Sequence, residues 1–248
     1  MFTSTRASEN QPLSILVYGQ AGIGKTTLAS TIKESEKVCI LSLENGNRSI
    51  SDFAIDVYDI TVDANGNELD RPIRHDKFLH ALKLFKTDDM KVKYKYLFID
   101  SLTEISQNLI EKLKLVHPDK KDAMKLWGDY NDAMLNIVKS IRDLRPYTVV
   151  VLALEKIDVD EFQRRFHGVD VAGKIANRLP AFFDEVFYYS VFDIDGKKER
   201  LLFTATSDNL IAKDRSGKLE KFEKPNISLI LEKINNTKQK EQLCLLPQ

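Results

Sequence analysis

Gly19, Gln20, Ala21, Gly22, Ile23, Gly24, Lys25 and Thr26 follow one another in the order G-x-x-x-x-G-K-T, with Thr27 next. Residues of these types at this spacing can build an anion cradle. Glycines let the backbone turn until successive N–H groups face one point. A helix starting at residue 26 would add partial positive charge there. Lys25 is then the group that neutralises the β/γ oxygens of a nucleoside triphosphate, and the Thr26 hydroxyl is a Mg²⁺ ligand. The plain alternative is a Gly-rich turn with no ligand. The context, an apolar strand before the loop and a helix after it, weighs against that alternative.

Such a site needs an acidic partner at the end of a neighbouring strand. The run Tyr96, Leu97, Phe98, Ile99 ends in Asp100 and Ser101, so Asp100 emerges from a buried strand where it can hold Mg²⁺ or its water. Glu44 closes the apolar segment Leu41, Ser42, Leu43. A carboxylate there can take a proton from, or orient, a water at the γ-phosphate. Its bland reading is a solvated carboxylate at a strand end. The other chemistry-bearing residues show no pattern. His75, His80, His117 and His167 are scattered, and Cys39 and Cys244 lie far apart, so neither a zinc site nor a disulfide framework is expected.

The elements that must position these groups alternate strand and helix, the signature of a mainly parallel sheet covered by helices. Strands are expected at 13–18, 38–43, 96–99 and 148–154, with an edge strand within 53–62. Helices are expected at about 26–34, 76–86, 102–116, 123–144 and 227–234. Asp195-Gly196 is a hairpin turn between strands within 182–194 and 200–206. Residues 156–177 are polar and poorly periodic, which reads as a loop. Trp127 lies at helical spacing with Met124, Tyr130 and Met134 and reads as core. The expected organisation is an arm at 1–12, one α/β P-loop domain at 13–234 and a tail at 235–248.

The 248 residues carry 37 Lys+Arg and 37 Asp+Glu, and 43% are hydrophobic. The zero net charge argues against a strongly basic coat for nucleic acid, though not against a local basic face. The apolar content argues against disorder as the main state. The first twelve residues hold no apolar signal core, and the longest clean apolar run, 149–154, is far too short to span a bilayer. A soluble, cytoplasmic protein without membrane partners is expected.

Taken together, GQAGIGKT (19–26), LSLENG (41–46), YLFIDSLTE (96–104), KLWGDY (125–130) and AKDR (212–215) resemble the phage-type AAA ATP-binding domain. That group includes minimal RecA/RadA-like recombinase cores and single-strand annealing proteins. The resemblance runs from about residue 5 to about 234. It implies a RecA-like core, ATP and Mg²⁺ as ligands, Lys25 and Thr26 on phosphate and metal, Asp100 on the metal, and Glu44 as the group that activates water. Family members commonly carry His or Gln near the end of the strand after the two long helices. Here Glu155 stands there, as a candidate γ-phosphate sensor or coupler to the following loop.

The resemblance also implies that Lys213 and Arg215 reach a neighbouring subunit's nucleotide, in a homo-oligomeric ring or filament. Cations two apart on an extended segment point the same way, and an arginine finger raises hydrolysis by about 10³–10⁵-fold. A charged turn in water is the other reading of those two residues. Residues 156–177 occupy the place of a single-stranded-DNA loop in such cores, with Phe162, Arg164, Arg165, Phe166, His167 and Lys174 able to stack on bases and pair with phosphates. A surface loop fits their composition equally well. A second basic cluster, Lys112, Lys114, Lys120, Lys121 and Lys125, reads first as a solvated face. Phe2 and the patch Leu243–Leu246 are possible docking elements for a subunit or another partner. The expected function is slow, Mg²⁺-dependent ATP hydrolysis on single-stranded DNA in phage recombination or annealing, with a single-strand-binding protein or helicase as a possible partner. A switch or helicase loader, and a small-molecule or nucleotide kinase, are the alternatives.

Overall fold

The computed structural model describes residues 11–44 and 46–235. The expectations for Phe2, Cys244 and the 243–246 patch lie outside those residues, as do most of the proposed arm and tail. The described chain forms ten strands and five α-helices. β1 (Ser14–Gly19), β2 (Val38–Ser42), β3 (Asp56–Asp59), β4 (Tyr96–Asp100) and β5 (Thr148–Val159) come first. After them come β6 (Arg165–Val169), β7 (Glu185–Ile194), β8 (Lys197–Phe203), β9 (Lys213–Asp214) and β10 (Phe222–Glu223). The helices are α1 (Arg71–Leu84), α2 (Asp88–Lys93), α3 (Leu102–Val116), α4 (Ala123–Arg142) and α5 (Ile227–Asn235).

The sheet order is β10-β8-β7-β1-β5-β4-β2-β3, with β6 on β5 and β9 on β7. From β7 to β3 every pairing along that order is parallel, and β7, β8 and β10 pair antiparallel. The architecture is therefore the expected α/β one, a mainly parallel central sheet flanked by helices with a β-hairpin in its C-terminal part. Alternation along the strands divides the core between two faces. Leu16, Tyr18, Leu41, Leu97 and Ile99 pack with Phe78, Ile105, Met134 and Ile141 from α1, α3 and α4. Ile15, Val17, Ile40, Phe98 and Leu152 pack with Leu28 and, from α5, Ile227 and Ile230. Cys39 is buried in β2 as expected, and burial pushes its thiol pKa up.

Register sets the site. Ser42 stands opposite Asp100, Asp100 opposite Leu152, and Gly19 opposite both Leu154 and Tyr189. The C-terminal ends of β1, β2 and β4 therefore finish together, level with Leu152–Leu154 of β5, along one edge, where open parallel sheets bind ligands. Tight approach is part of this geometry. A Cβ on Gly19 would lie 2.1 Å from the Tyr189 carbonyl oxygen, so only glycine lets β7 pair there.

Several elements depart from expectation. The segment after the loop is a 3₁₀ helix, Thr26–Thr31, rather than an α-helix reaching 34. Its hydroxyls explain this: Thr27, Ser30 and Thr31 each donate to the carbonyl three residues back, at 2.7, 2.8 and 2.6 Å. Such back-bonding competes with α-helical pairing. α1 starts at Arg71, five residues before the expected 76, because Asp70 and Pro72 make a helix start with Pro in the first turn. Residues 156–177 are not a plain loop. β5 runs on to Val159 and returns as β6, a hairpin followed by short 3₁₀ turns. The stripe through Trp127 is buried only in part. Tyr130 and Met134 are fully buried, but Met124 is 89% and Trp127 43% exposed, because the first turns of α4 overhang the core. Trp127 lies edge-on to Tyr130.

Candidate nucleotide site

The loop after β1 carries its functional groups in layers. Gln20, Ala21 and Gly22 form an exposed crown, while Ile23 is buried and docks into the core beneath α5. Gly22 and Gly24 adopt φ of 73° and 108°, conformations that residues with a side chain rarely hold. Lys25 is buried, and its ammonium donates to Gly19 O at 2.9 Å and Gln20 O at 2.8 Å. Burial lowers its pKa, and the charges of Asp100, Glu44 and Glu155 oppose that shift. One cation thus faces three carboxylates delivered by three different strands.

Asp100 is the innermost of these. Its Oδ2 accepts the Thr26 hydroxyl at 2.6 Å, joining the phosphate loop to the end of β4. Burial pushes its pKa up to about 6, reinforced by the Glu44 charge and opposed by the Thr26 hydrogen bond and by Lys25. A carboxylate and a hydroxyl side by side are hard oxygen donors, a set that suits Mg²⁺ completed by phosphate oxygens and water. Thr26 and Asp100 are therefore the residues that could hold it.

Glu44 is fixed at both ends. Its carbonyl accepts the Ser42 hydroxyl at 2.6 Å, and Leu43 N–H donates to Asp100 O at 2.6 Å, tying the turn after β2 to β4. Its Oε1 accepts the hydroxyl of Ser101. Ser42 and Ser101 are thus the two side chains that hold Glu44, contacts that reasoning from the sequence did not foresee. The small polar residues at both strand ends were the available signal. The Asp100–Ser101 peptide is cis.

Residues 11–216 match the family described as AAA domain. The chain belongs to that family. No curated protein matches this AAA domain. Among solved structures it is similar to a KaiC-like protein of the hyperthermophilic archaeon Pyrococcus horikoshii OT3, at 13% identity and a TM-score of 0.40, covering 80% of this chain and 87% of that one. It is also similar to an ATPase from the type III secretion system of pathogenic bacteria, at 13% identity and a TM-score of 0.45, covering 72% of this chain and about half (51%) of that one.

The remaining candidates of the AAA domain fall in two places. Glu155 stands where β5 leaves the central sheet. Its side chain is 6% exposed, and its Oε2 lies 3.3 Å from His167 Nδ1 on β6. His167 in turn lies 3.3 Å from the Tyr188 hydroxyl and donates its backbone N–H to Asn209 O at 2.8 Å. Burial, first among the causes, pushes the Tyr188 pKa up to about 12. The structure thus connects Glu155 to the hairpin through a residue, His167, that the sequence offered only as a possible base-stacking group.

Lys213 and Arg215 lie elsewhere. β9 pairs with the start of β7, where Glu185 is opposite Ile15. That is four residues along β1 from Gly19, about 13 Å at ~3.3 Å per residue, and on the opposite edge of the sheet. Neither cation is near its own chain's phosphate loop. Lys213 is turned inward onto the carbonyls of Pro180, Ala181 and Phe183, so the free charged turn is not what this residue makes. Arg215 is 62% exposed and pairs with Asp184 at 2.9 Å.

Proposed function

We propose that this AAA domain binds ATP with Mg²⁺ and hydrolyses it at the C-terminal edge of its sheet, as an oligomer acting on single-stranded DNA. The observation that carries the ATPase reading is the 2.6 Å hydrogen bond from Thr26 to Asp100, with Glu44 held one residue further along by Ser101. Three segments distant in sequence meet there with the groups the reaction requires. Lys25 exchanges its two loop carbonyls for phosphate oxygens and stabilises the charge that grows on them. Glu44 orients the attacking water and accepts its proton as the oxygen bonds to the γ-phosphorus and ADP leaves. Mg²⁺, when bound by Thr26 and Asp100, neutralises charge on the β and γ oxygens.

Glu155 is the proposed reporter of the γ-phosphate, supported by its place between Lys25 and His167. Of the two candidate trans groups, Arg215 is favoured over Lys213, since it is exposed and held by one carboxylate, whereas Lys213 is turned onto three backbone carbonyls. The DNA reading is supported by the β5–β6 hairpin. Phe162 is 70% exposed, the Arg164 guanidinium sits 5.5 and 5.7 Å from the Phe162 and Phe166 rings, and Arg165 is exposed at the start of β6. Asp160 works against it, because Arg164 is paired to that carboxylate at 2.7 Å. The setting in phage recombination or annealing rests on the family resemblance alone.

ATPase rate measured against protein concentration, with and without single-stranded DNA, tests the whole reading. A rate per subunit that rises with concentration and with DNA is expected. A rate indifferent to both removes the oligomer and the DNA partner. No turnover under any condition removes the ATPase.

A further inference from the structure

Ser101 sits between the metal-binding and water-activating halves of the site, and nothing in the P-loop chemistry itself requires a hydroxyl there. We infer that Ser101 is a positioning residue for hydrolysis: its hydroxyl holds the Glu44 carboxylate in the orientation that meets the attacking water. This rests on the reading of Glu44 as the group that activates water.

The Ser101 side chain is 1% exposed and has one proton to donate. That proton goes to Glu44 Oε1. On the acceptor side, the same oxygen caps α3 by taking the backbone N–H of Glu104 at 3.4 Å. The hydroxyl is therefore anchored to a 15-residue helix and passes that rigidity to a carboxylate on a turn. Ser42 fixes the Glu44 backbone on the other side, through the bond to its carbonyl. With Oε1 taken by Ser101, the second carboxylate oxygen is the one left to meet water. A glutamate has three side-chain torsions, and half-buried Glu44 would sample several rotamers without that hydroxyl. A reacting group displaced by about 1 Å can lose about 10²-fold in rate. Asp100, the adjacent residue, holds Thr26 at the same time. Consecutive residues at the end of β4 thus align the phosphate loop and the base.

The test is single-turnover hydrolysis with enzyme in excess, alongside binding of a fluorescent ATP analogue. Ser101→Ala is expected to slow hydrolysis by about 10–100-fold while the dissociation constant moves less than about threefold, since the bound ground state does not use the Glu44 orientation. Ser101→Thr keeps the hydroxyl and is expected to recover the rate to within about fivefold. Ser101→Cys is nearly isosteric with a weak donor; it should lose at least about 10-fold and serves if the alanine variant fails to fold. In the double variant with Glu44→Gln, the Ser101→Ala loss should vanish, because both act through one group.

Wild-type rates in Ser101→Ala or Ser101→Cys, with Glu44→Gln impaired, overturn the proposal and leave the Glu44 assignment standing. Losses that multiply in the double variant also overturn it. A wild-type rate in Glu44→Gln alone overturns the Glu44 assignment, and this proposal falls with it.

Discussion

Replacing Asp100 with Asn should make the metal-free protein more stable at neutral pH while removing hydrolysis. The reasoning starts from burial. Asp100 is 6% exposed, and its carboxyl is pushed from 3.8 to about 6 in the folded chain. The folded state therefore binds this proton more tightly than the unfolded state does. Below about pH 4 both states hold it, and burying the neutral acid carries no charge penalty. As pH rises through the interval from about 4 to 6, the unfolded chain ionises while the folded chain keeps its proton, and stability falls. Above about pH 6 the cost is complete, and the gap between 3.8 and about 6 corresponds to about 3 kcal/mol. Asparagine removes the charge and still offers an oxygen to the Thr26 hydroxyl. Its N–H groups need acceptors, so about 3 kcal/mol is an upper bound on the gain. Urea unfolding with EDTA at several pH values between 4 and 8, for both proteins, isolates the effect, because the other titrating groups cancel in the difference. The advantage of the variant should grow from near zero at pH 4 and level off above pH 6. A variant destabilised at pH 8, or a difference flat across that range, would refute the assignment of a buried, costly charge to Asp100. Adding Mg²⁺ with a nucleotide should then stabilise the wild type more than the variant, which keeps the phosphate loop and Thr26 but loses one candidate metal ligand.

Lys25→Ala should abolish ATP turnover, a loss of at least about 10²-fold, with the circular dichroism spectrum unchanged; turnover at the wild-type rate would end the ATPase reading. Gly19→Ala puts a carbon 2.1 Å from the Tyr189 carbonyl oxygen, and a loss of about 3 kcal/mol or more is expected by chemical unfolding. Glu185, 1% exposed and pushed up to about 8 by burial and by the Asp214 charge, costs stability as pH rises from about 4.5 to about 8. Glu185→Gln should therefore match the wild type near pH 4 and exceed it at pH 9 in thermal melts. Arg165→Glu combined with Phe162→Ser should weaken binding of labelled single strands by at least about 10-fold at low salt, where phosphate contacts are strongest. Fluorescence anisotropy indifferent to both changes would remove the hairpin from the DNA reading.

The parts of this molecule that were legible in its sequence share one property: local pattern and tertiary role agree there. The strand before Gly19 is almost continuously apolar and lies fully buried in mid-sheet, and the turn Asp195-Gly196 has the left-handed φ values of 52° and 79° that its residue types favour. The phosphate loop could be read because its glycines have no other use in that order. Departures came where side chains outvote the backbone pattern. Three hydroxyls bend the Thr26–Thr31 segment to 3₁₀ form. Asp160 organises a tight reversal by accepting from Phe162 N and Arg164 N, both at 2.9 Å, which turns a stretch without periodicity into a hairpin. For Ser101 the signal, a small polar residue at a strand end, was faint. A serine after a strand-end aspartate is ordinary, and only the register of β2 on β4 brings it to Glu44.

The zero net charge also reads differently once the side chains are placed. The nucleotide site does not depend on surplus positive charge. Near Lys25 the balance is one cation against three carboxylates, so a triphosphate entering there meets a site short of cations until Mg²⁺ accompanies it. That deficit is the feature of this chain's own residues that favours the proposed Mg²⁺ dependence. It is also the reason an additional cation from a second subunit would matter, since Lys213 and Arg215 of the same chain lie at the far edge of the sheet. At the hairpin the same accounting runs the other way. Arg164 is neutralised by Asp160, and Lys156 pairs with Asp158 at 2.8 Å, so any nucleic-acid contact there must draw on stacking by Phe162 and on Arg165 more than on a field of positive charge. Binding of that kind loses less affinity to salt than a multi-lysine patch does, and the slope of DNA affinity against salt concentration is the measurement that separates them.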